Sequence, residues 1–199
     1  MTGFATVMIS CGERDAVRTR TLMNLARTDW PSQVMVSMAG SDLPTPQARQ
    51  TANSLEALKR GLTADREFIL FLEDDLEFNR HLHHNLTHWP VLQHVTMASL
   101  YNPNIRELRR MPELHCFEAV PDAIYGSQAY LFSRACAEWI VERWGTIVGM
   151  QDILCSRLAA QLGLPIYYFQ PSLVQHVGKE STFGGGFHYT KDFDPEFKL

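Results

Sequence analysis

Cysteine is scarce in this sequence, and no long apolar run occurs in it. The four cysteines form no Cys-x-x-Cys pair, which argues against a zinc site of the usual spacing and against a disulfide-dense secreted scaffold; they are Cys11, Cys116, Cys136 and Cys155. No stretch approaches the ~18 consecutive apolar residues of a membrane-spanning helix. The N-terminus also lacks a basic segment followed by an apolar one. We therefore expect reduced thiols, no membrane span, no signal peptide and a cytoplasmic location.

A strong excess of one charge is also missing. The chain of 199 residues carries 18 Lys and Arg against 22 Asp and Glu, a formal charge of −4. This balance argues against a protein that coats nucleic acid and against a basic domain on a membrane surface. Apolar residues make up 45% and charged residues 20% of the chain, which is typical of a globular protein and, at this length, of a single domain.

Several familiar motifs are absent as well. The glycines at 184–186 match neither the Walker nor the Rossmann template, and no Gly-x-Ser-x-Gly nucleophile elbow occurs. Four histidines cluster near one another, but no Glu completes a His-Glu-x-x-His pattern, so we interpret them as a polar helix face; they are His81, His83, His84 and His88. The arginines within 106–110 are interpreted as solvated.

The most informative stretch that is present runs from 67 to 75, Glu-Phe-Ile-Leu-Phe-Leu-Glu-Asp-Asp. Five apolar residues, 68–72, are too few for a buried helix and indicate a strand covered on both faces. If the chain is still extended at the carboxylates, Glu73 and Asp75 point to the same side. Two oxygen ligands at the carboxyl end of a central strand suit Mg²⁺ or Mn²⁺. The alternative is a solvated acidic turn.

Strands and helices alternate along the first part of the chain. Residues 5–10 and 34–38 are predicted strands, and the spacing of Val17, Thr21 and Leu25 predicts a helix between them. A second helix is predicted over 47–61, before the strand at 68–72. This order requires right-handed parallel crossovers. We therefore predict a single-domain α/β fold, a doubly wound, mainly parallel sheet with helices on both faces.

The remaining elements are predicted with the same rules. An apolar stripe predicts a helix over 78–89, and Ser133 is a plausible N-cap for another helix that reaches residue 144. Residues 101–122 are expected to be an irregular loop, and the tail from 184 is expected to be mobile. The other predicted elements are a helix over 150–162 and strands over 95–100, 125–132, 166–169 and 173–177.

Three features together resemble the GT-A class of nucleotide-sugar-dependent glycosyltransferases, a Rossmann-like fold. Glu73-Asp74-Asp75 is similar to the Asp-x-Asp motif of that class in its Glu-x-Asp form. Gln151-Asp152 is similar to the acidic pair that supplies the base in inverting members. The segment 171–178, which ends in Gln-His-Val-Gly, resembles N-acetylglucosaminyltransferase IV-like enzymes. The resemblance covers roughly residues 5–183, which implies a GT-A-like catalytic domain over 1–183 followed by a tail over 184–199.

The resemblance implies a metal site, because a divalent ion that bridges two phosphates stabilises the departing nucleoside diphosphate. Asp75 is then the main ligand of Mn²⁺ or Mg²⁺, and Glu73 is a second ligand, direct or through water. His176 adds a nitrogen ligand from the other side. The alternative for His176 is a core histidine that forms hydrogen bonds after a strand.

The same resemblance implies a donor site for a nucleotide diphosphate sugar, most simply a UDP-sugar. Asp74 is the candidate for the ribose hydroxyls, and the phosphates and base would meet the residues Ser10, Glu13, Arg14, Asn53, Lys179 and Ser181. Each of these is alternatively a solvated surface residue. Asp152 is the candidate general base of an inverting transfer. It is alternatively an ordinary acid at a helix N-terminus, or, in a retaining enzyme, an acceptor-binding residue.

The function predicted from these residues is a metal-dependent, inverting glycosyltransferase. A catalytically inactive UDP-sugar-binding protein on the same fold is the second hypothesis. A nucleotidyltransferase ranks third, because residues 11–15 contain one glycine where that class has a glycine-rich loop. The acceptor is left open among a glycan, a lipid-linked sugar, a small molecule and a modified base.

Overall fold

The structure is a computed structural model that describes residues 3–40, 42–103, 107–121, 124, 126–178 and 189–199. Ten strands occur in these residues: β1 (Phe4–Ser10), β2 (Val34–Met38), β3 (Phe68–Leu72), β4 (Leu76–Phe78), β5 (Met97–Ser99), β6 (Glu107–Met111), β7 (Cys116–Ala119), β8 (Ala129–Ser133), β9 (Ile166–Phe169) and β10 (Val174–His176). Five α-helices accompany them: α1 (Asp15–Leu25), α2 (Pro46–Thr63), α3 (Leu82–Thr87), α4 (Arg134–Arg143) and α5 (Gln151–Ala160).

Eight strands form one mixed sheet in the order β2-β1-β3-β8-β5-β9-β7-β6. β1 is parallel to both β2 and β3, and β5 is parallel to β9. β8 and β7 run against their neighbours on both sides. Six of the eight strands therefore point in one direction, and β4 pairs separately with β10 in an antiparallel ribbon.

Helices cover both faces of the sheet. In β3, Phe68, Leu70 and Leu72 join the apolar cluster that includes α1 and α3. Ile69 and Phe71 join the cluster formed with α2, α4 and α5. All five residues of β3 are buried, as expected for a strand whose side chains alternate between two covered faces. The predicted fold class, an α/β sheet with helices on both faces, is confirmed.

Two local predictions are wrong. The expected loop over 101–122 contains the antiparallel hairpin of β6 and β7. Four of the five residues of β6 are exposed, so this strand lacks the apolar alternation by which a strand is recognised. The expected helix over 78–89 is confined to α3, because Phe78 ends β4 and Asn79 accepts a hydrogen bond from the backbone N–H of His81 at 2.8 Å.

The described part of the tail, residues 189–199, is packed rather than loose. The Asn79 side chain is fully buried and donates to the carbonyls of Asp194 and Phe197, both at 2.8 Å. Buried Asn85 accepts from the N–H of Leu199 at 2.8 Å. The expectation of a mobile tail is therefore wrong for these residues, while 184–188 lie outside the described ones.

In the part of the chain that the structure describes, no helix combines the length and the apolar character that crossing a bilayer requires.

Candidate functional site

The three carboxylates stand where β3 gives way to β4, at the carboxyl end of the parallel strands. The backbone is still held at Glu73, whose N–H donates to the carbonyl of Gln128 at 2.9 Å. Thr21 then fixes the turn: its hydroxyl donates to the Asp74 carbonyl at 2.6 Å and accepts from the Leu76 N–H at 3.0 Å. Helix α1 thereby ties down the acidic turn. The acidic turn therefore lies at the edge of the sheet where α/β proteins commonly bind their ligands.

Arg14 forms ion pairs with both aspartates through its one guanidinium group. Its Nε lies 2.7 Å from Asp74 Oδ1, and its Nη2 lies 2.6 Å from Asp75 Oδ2. Ser10, the last residue of β1, donates from Oγ to Asp74 Oδ2 at 2.5 Å. The parallel pairing of β1 with β3 brings these residues together, because both strands end at the same edge.

The charges of this group perturb one another. Burial raises the pKa of the Asp75 carboxyl, but the hydrogen bond and charge of His176 together with Arg14 outweigh burial and hold its pKa below the ordinary value. For Asp74, burial prevails over Ser10 and Arg14 and raises the pKa. The pKa of Arg14 is raised, because the two aspartates outweigh its own desolvation.

His176 contacts the same carboxylate oxygen of Asp75 that Arg14 contacts. The antiparallel ribbon pairs His176 with Leu76, and the Val177 N–H donates to the Asp75 carbonyl at 2.9 Å. His176 Nε2 lies 3.2 Å from Asp75 Oδ2. A Cβ on Gly178 would collide with Asp75 Oδ2 and lie 2.8 Å from His176 Nε2, so glycine is needed there for this close approach.

One oxygen of Asp75 makes no hydrogen bond within the described part of the chain. Among the described residues, Asp75 Oδ1 is buried and makes no hydrogen bond, although buried carboxylate oxygens are normally paired. No set of three or more His, Cys, Asp or Glu side chains within the described ranges is arranged to hold a metal ion by itself. Asp75 and His176 are thus two potential metal-binding side chains in contact with each other, and within the described residues one buried oxygen of Asp75 makes no hydrogen bond.

Glu73 belongs to a different environment from the two aspartates. Its Oε1 accepts a hydrogen bond of 2.5 Å from the hydroxyl of Ser127. Burial of the carboxyl group, reinforced by the negative charge of Asp75, raises the pKa of Glu73 to about 7. Near neutral pH the protonated and the ionised forms of Glu73 are thus both populated.

Asp152 is linked to Glu73 by one short segment. Its Oδ2 accepts from the Gly126 N–H at 3.1 Å, and its Oδ1 accepts from the Ile153 N–H at 2.8 Å. The next residue along, Ser127, is the one that donates to Glu73. Residues 126–128 therefore connect the start of α5 with the end of β3, and they orient the Asp152 carboxylate.

The nucleotide side of the predicted site centres on Asn53. Its Nδ2 donates to the carbonyls of Ser10 at 3.1 Å and Ser37 at 3.0 Å. These two acceptors fix the orientation of the amide, and Asn53 Oδ1 is buried with no hydrogen-bond partner among the described residues. Glu13 is exposed beside this region, and the pKa of its carboxyl is lowered by the backbone N–H and by Cys11. Lys179 and Ser181 lie outside the described residues.

Three residues near the site were missed in the sequence. Thr21 bridges the acidic turn, Ser127 contacts Glu73, and buried Tyr101 has its ring 6.4 Å from that of His176. Burial and the charges of Glu73 and Asp75 raise the pKa of the Tyr101 phenol. Ser127 precedes β8, and β8 runs antiparallel to β3, so the residues before β8 lie beside Glu73 at the end of β3. Without that strand direction, the sequence does not indicate a contact between Ser127 and Glu73.

Comparison with known proteins bears on the fold. No protein-family model and no curated protein sequence matches the chain. Solved structures do match, and their likeness places the chain in the Rossmann-like α/β class. One of them is S. aureus TarS, residues 1–349, in complex with UDP-GlcNAc, with a TM-score of 0.58 and 16% identity. The match covers 91% of this chain and 59% of that chain, so the chain spans well under two thirds of the TarS structure.

Proposed function

We propose that the protein is a metal-dependent glycosyltransferase that uses a nucleotide diphosphate sugar, a UDP-sugar, with inversion at the anomeric carbon. One observation carries this proposal: Asp74, Asp75 and His176 converge at the carboxyl end of β3, and the buried Asp75 Oδ1 makes no hydrogen bond to any described residue. The fold likeness to a structure that holds UDP-GlcNAc supports the same reading. The resemblance of 171–178 to N-acetylglucosaminyltransferase IV-like enzymes stays a prediction.

The residues present fit a divalent ion, Mn²⁺ or Mg²⁺. Such ions are commonly held by one or two carboxylates, with substrate phosphates and water completing the coordination, so a cluster of three protein ligands is not required. Asp75 and His176 would hold the ion, with Glu73 as a second carboxylate. When bound, the metal supplies charge stabilisation for the departing diphosphate.

The nucleotide is proposed to lie over the ends of β1 and β2. Asn53 Oδ1 is an acceptor with a fixed orientation, since the amide nitrogen already serves two carbonyls. We assign to it the N3–H of a uracil base, a donor that cytosine lacks. Asp74 is assigned to the ribose hydroxyls, and Ser10, Glu13 and Arg14 border the base and phosphates. Lys179 and Ser181 are proposed phosphate contacts from the sequence alone.

Asp152 is proposed as the general base that removes the acceptor hydroxyl proton as the oxygen attacks the anomeric carbon. Two backbone N–H groups hold its carboxylate, which fixes its direction. The segment 126–128 joins it to Glu73, and this link supports a position next to the donor sugar. The acceptor class is addressed by experiment rather than by these contacts.

The test is release of UDP from UDP-sugars, measured with Mn²⁺ present and with an acceptor panel. Asp75→Asn is expected to abolish release, and Asp152→Asn is expected to lower transfer by at least ~10²-fold while UDP still binds. Asp65→Asn, at an exposed position, is the control and should match the wild type. If UDP binds but no donor is cleaved, the protein is a nucleotide-sugar-binding protein. If UDP-sugars do not bind, the proposal fails.

A further inference from the structure

Arg14 is the exposed member of a tight ionic group. Its side chain is 28% exposed, whereas those of Asp74 and Asp75 are 6% and 8% exposed. Of these three side chains, that of Arg14 is the most accessible to solvent. It is the last residue of a 3-10 turn, Gly12–Arg14, that follows β1, so it is carried by a short connection rather than by the middle of a helix.

The two oxygens of Asp75 are used very unequally. Oδ2 meets both Arg14 Nη2 at 2.6 Å and His176 Nε2 at 3.2 Å. Oδ1 is buried and meets no hydrogen-bond donor among the described residues. A divalent ion at Asp75 would therefore share its carboxylate with an arginine already in place. Two cations on one buried carboxylate repel each other, so the ion and the guanidinium compete.

A diphosphate removes this conflict. A guanidinium fork binds phosphate oxygens with the same paired geometry that it uses for carboxylates. The diphosphate also brings the negative charge that Arg14 and a divalent ion together require. Arg14 would then move from the carboxylate of Asp75 to a phosphate bound beside it.

We propose that Arg14 is an exchangeable counter-ion, which pairs with Asp74 and Asp75 before ligands bind and transfers to the diphosphate when the nucleotide arrives with its metal. The inference rests on the proposed function. Its consequence is a coupling between the two ligands: the metal alone binds weakly because Arg14 opposes it, and the nucleotide relieves that opposition. Coupling between sites is reciprocal, so the metal strengthens nucleotide binding by the same factor.

The experiment measures Mn²⁺ binding by the loss of the free-ion electron paramagnetic resonance signal, and UDP and uridine binding by calorimetry. Arg14→Gln is the test variant, and Arg20→Gln, an exposed site on α1, removes the same charge as a control. The exchange predicts changes of opposite sign in Arg14→Gln. Mn²⁺ alone binds about tenfold tighter, UDP without metal binds about tenfold weaker, and uridine binding is unchanged.

A purely structural role for Arg14 predicts different binding results. If Arg14 only holds the aspartates in place, Arg14→Gln leaves the ratio of UDP to uridine affinity at the wild-type value, and the inference is overturned. Thermal unfolding checks that Arg14→Gln is folded. If it is not, Arg14→Lys is used instead, because lysine keeps the positive charge but lacks the two-pronged guanidinium group. The lysine variant should show wild-type Mn²⁺ affinity with weakened UDP binding. Failure of the wild type to bind UDP at all would instead reject the proposed function.

Discussion

Replacement of Glu73 by glutamine should make the protein more stable at pH 8 and have a much smaller effect at pH 5. Burial and Asp75 raise the pKa of Glu73 from its ordinary 4.5 to about 7. The folded protein therefore holds this proton more tightly than the unfolded chain does. Stability from this group is complete below pH 4.5 and is lost as pH rises through about 7. Glutamine stays neutral, and its carbonyl can still accept from Ser127.

The magnitude follows from the size of the shift. The rise from 4.5 to about 7, at about 1.4 kcal/mol for each pKa unit, corresponds to an upper limit of about 3.5 kcal/mol in the free energy of unfolding. For a protein of this length, 1 kcal/mol moves the melting temperature by roughly 2–4 °C. Glu73→Gln should therefore melt several degrees above the wild type at pH 8, with a much smaller difference at pH 5.

The assay is thermal and urea unfolding from pH 5 to pH 8 with a chelator present, so that no metal contributes. Glu77→Gln is the matched control, since Glu77 is exposed on the adjoining strand β4. It should follow the wild type at every pH. A Glu73→Gln curve parallel to that of the wild type would show that Glu73 does not titrate in this range, and the reasoning about its environment would be refuted.

Three further outcomes are expected. Thr21→Val breaks both hydrogen bonds that hold the acidic turn and should lower unfolding free energy by roughly 2 kcal/mol; exposed Thr19→Val on the same helix should cost far less in the same melts. If Asn53 reads the base, UDP should bind at least ~10-fold tighter than CDP or N3-methyl-UDP by calorimetry, and equal affinities would remove that assignment. Asn79→Ala should speed hydrogen exchange over 194–199 while the N–H groups of β1 keep their protection; an unchanged tail would contradict the anchoring contacts.

The strands that carry the site were predictable because their signal is local. The apolar run 68–72 is β3 to the residue, and 34–38 and 166–169 likewise coincide with β2 and β9. Ser133 does cap α4, accepting from the Cys136 N–H at 3.3 Å. In each case the residue composition and the turn or capping residues within a few positions are enough to predict the element. The fold class followed from the order of these elements.

The hairpin of β6 and β7 shows where local reasoning ends. Its outer strand is exposed on nearly every residue, so it is held by pairing with β7 and not by an apolar face. The packed tail is similar: Asn79 and Asn85 bind its backbone across more than a hundred residues of sequence. Such contacts have no short-range signal, because they depend on backbone groups that every residue possesses.

The candidate site likewise contains residues that the sequence predicts and residues that it does not. The carboxylates and His176 were nominated from residue type and motif, and the structure brings Arg14, Ser10 and His176 against them. Ser127 and Thr21 are not predicted, because a single hydroxyl residue has no recognisable sequence pattern. Their positions come from the direction of β8 and from the packing of α1 against the turn.

The most direct test of the account is a calorimetric titration of UDP into the wild type and into Asp75→Asn, each with and without Mn²⁺. The central claim is that Asp75, whose Oδ1 makes no hydrogen bond to the described residues, and its neighbour His176 join a metal to a nucleotide diphosphate. The account predicts that Mn²⁺ strengthens UDP binding by the wild type and has no such effect on Asp75→Asn. Equal, metal-independent UDP binding by both proteins, or no binding by the wild type, would contradict it.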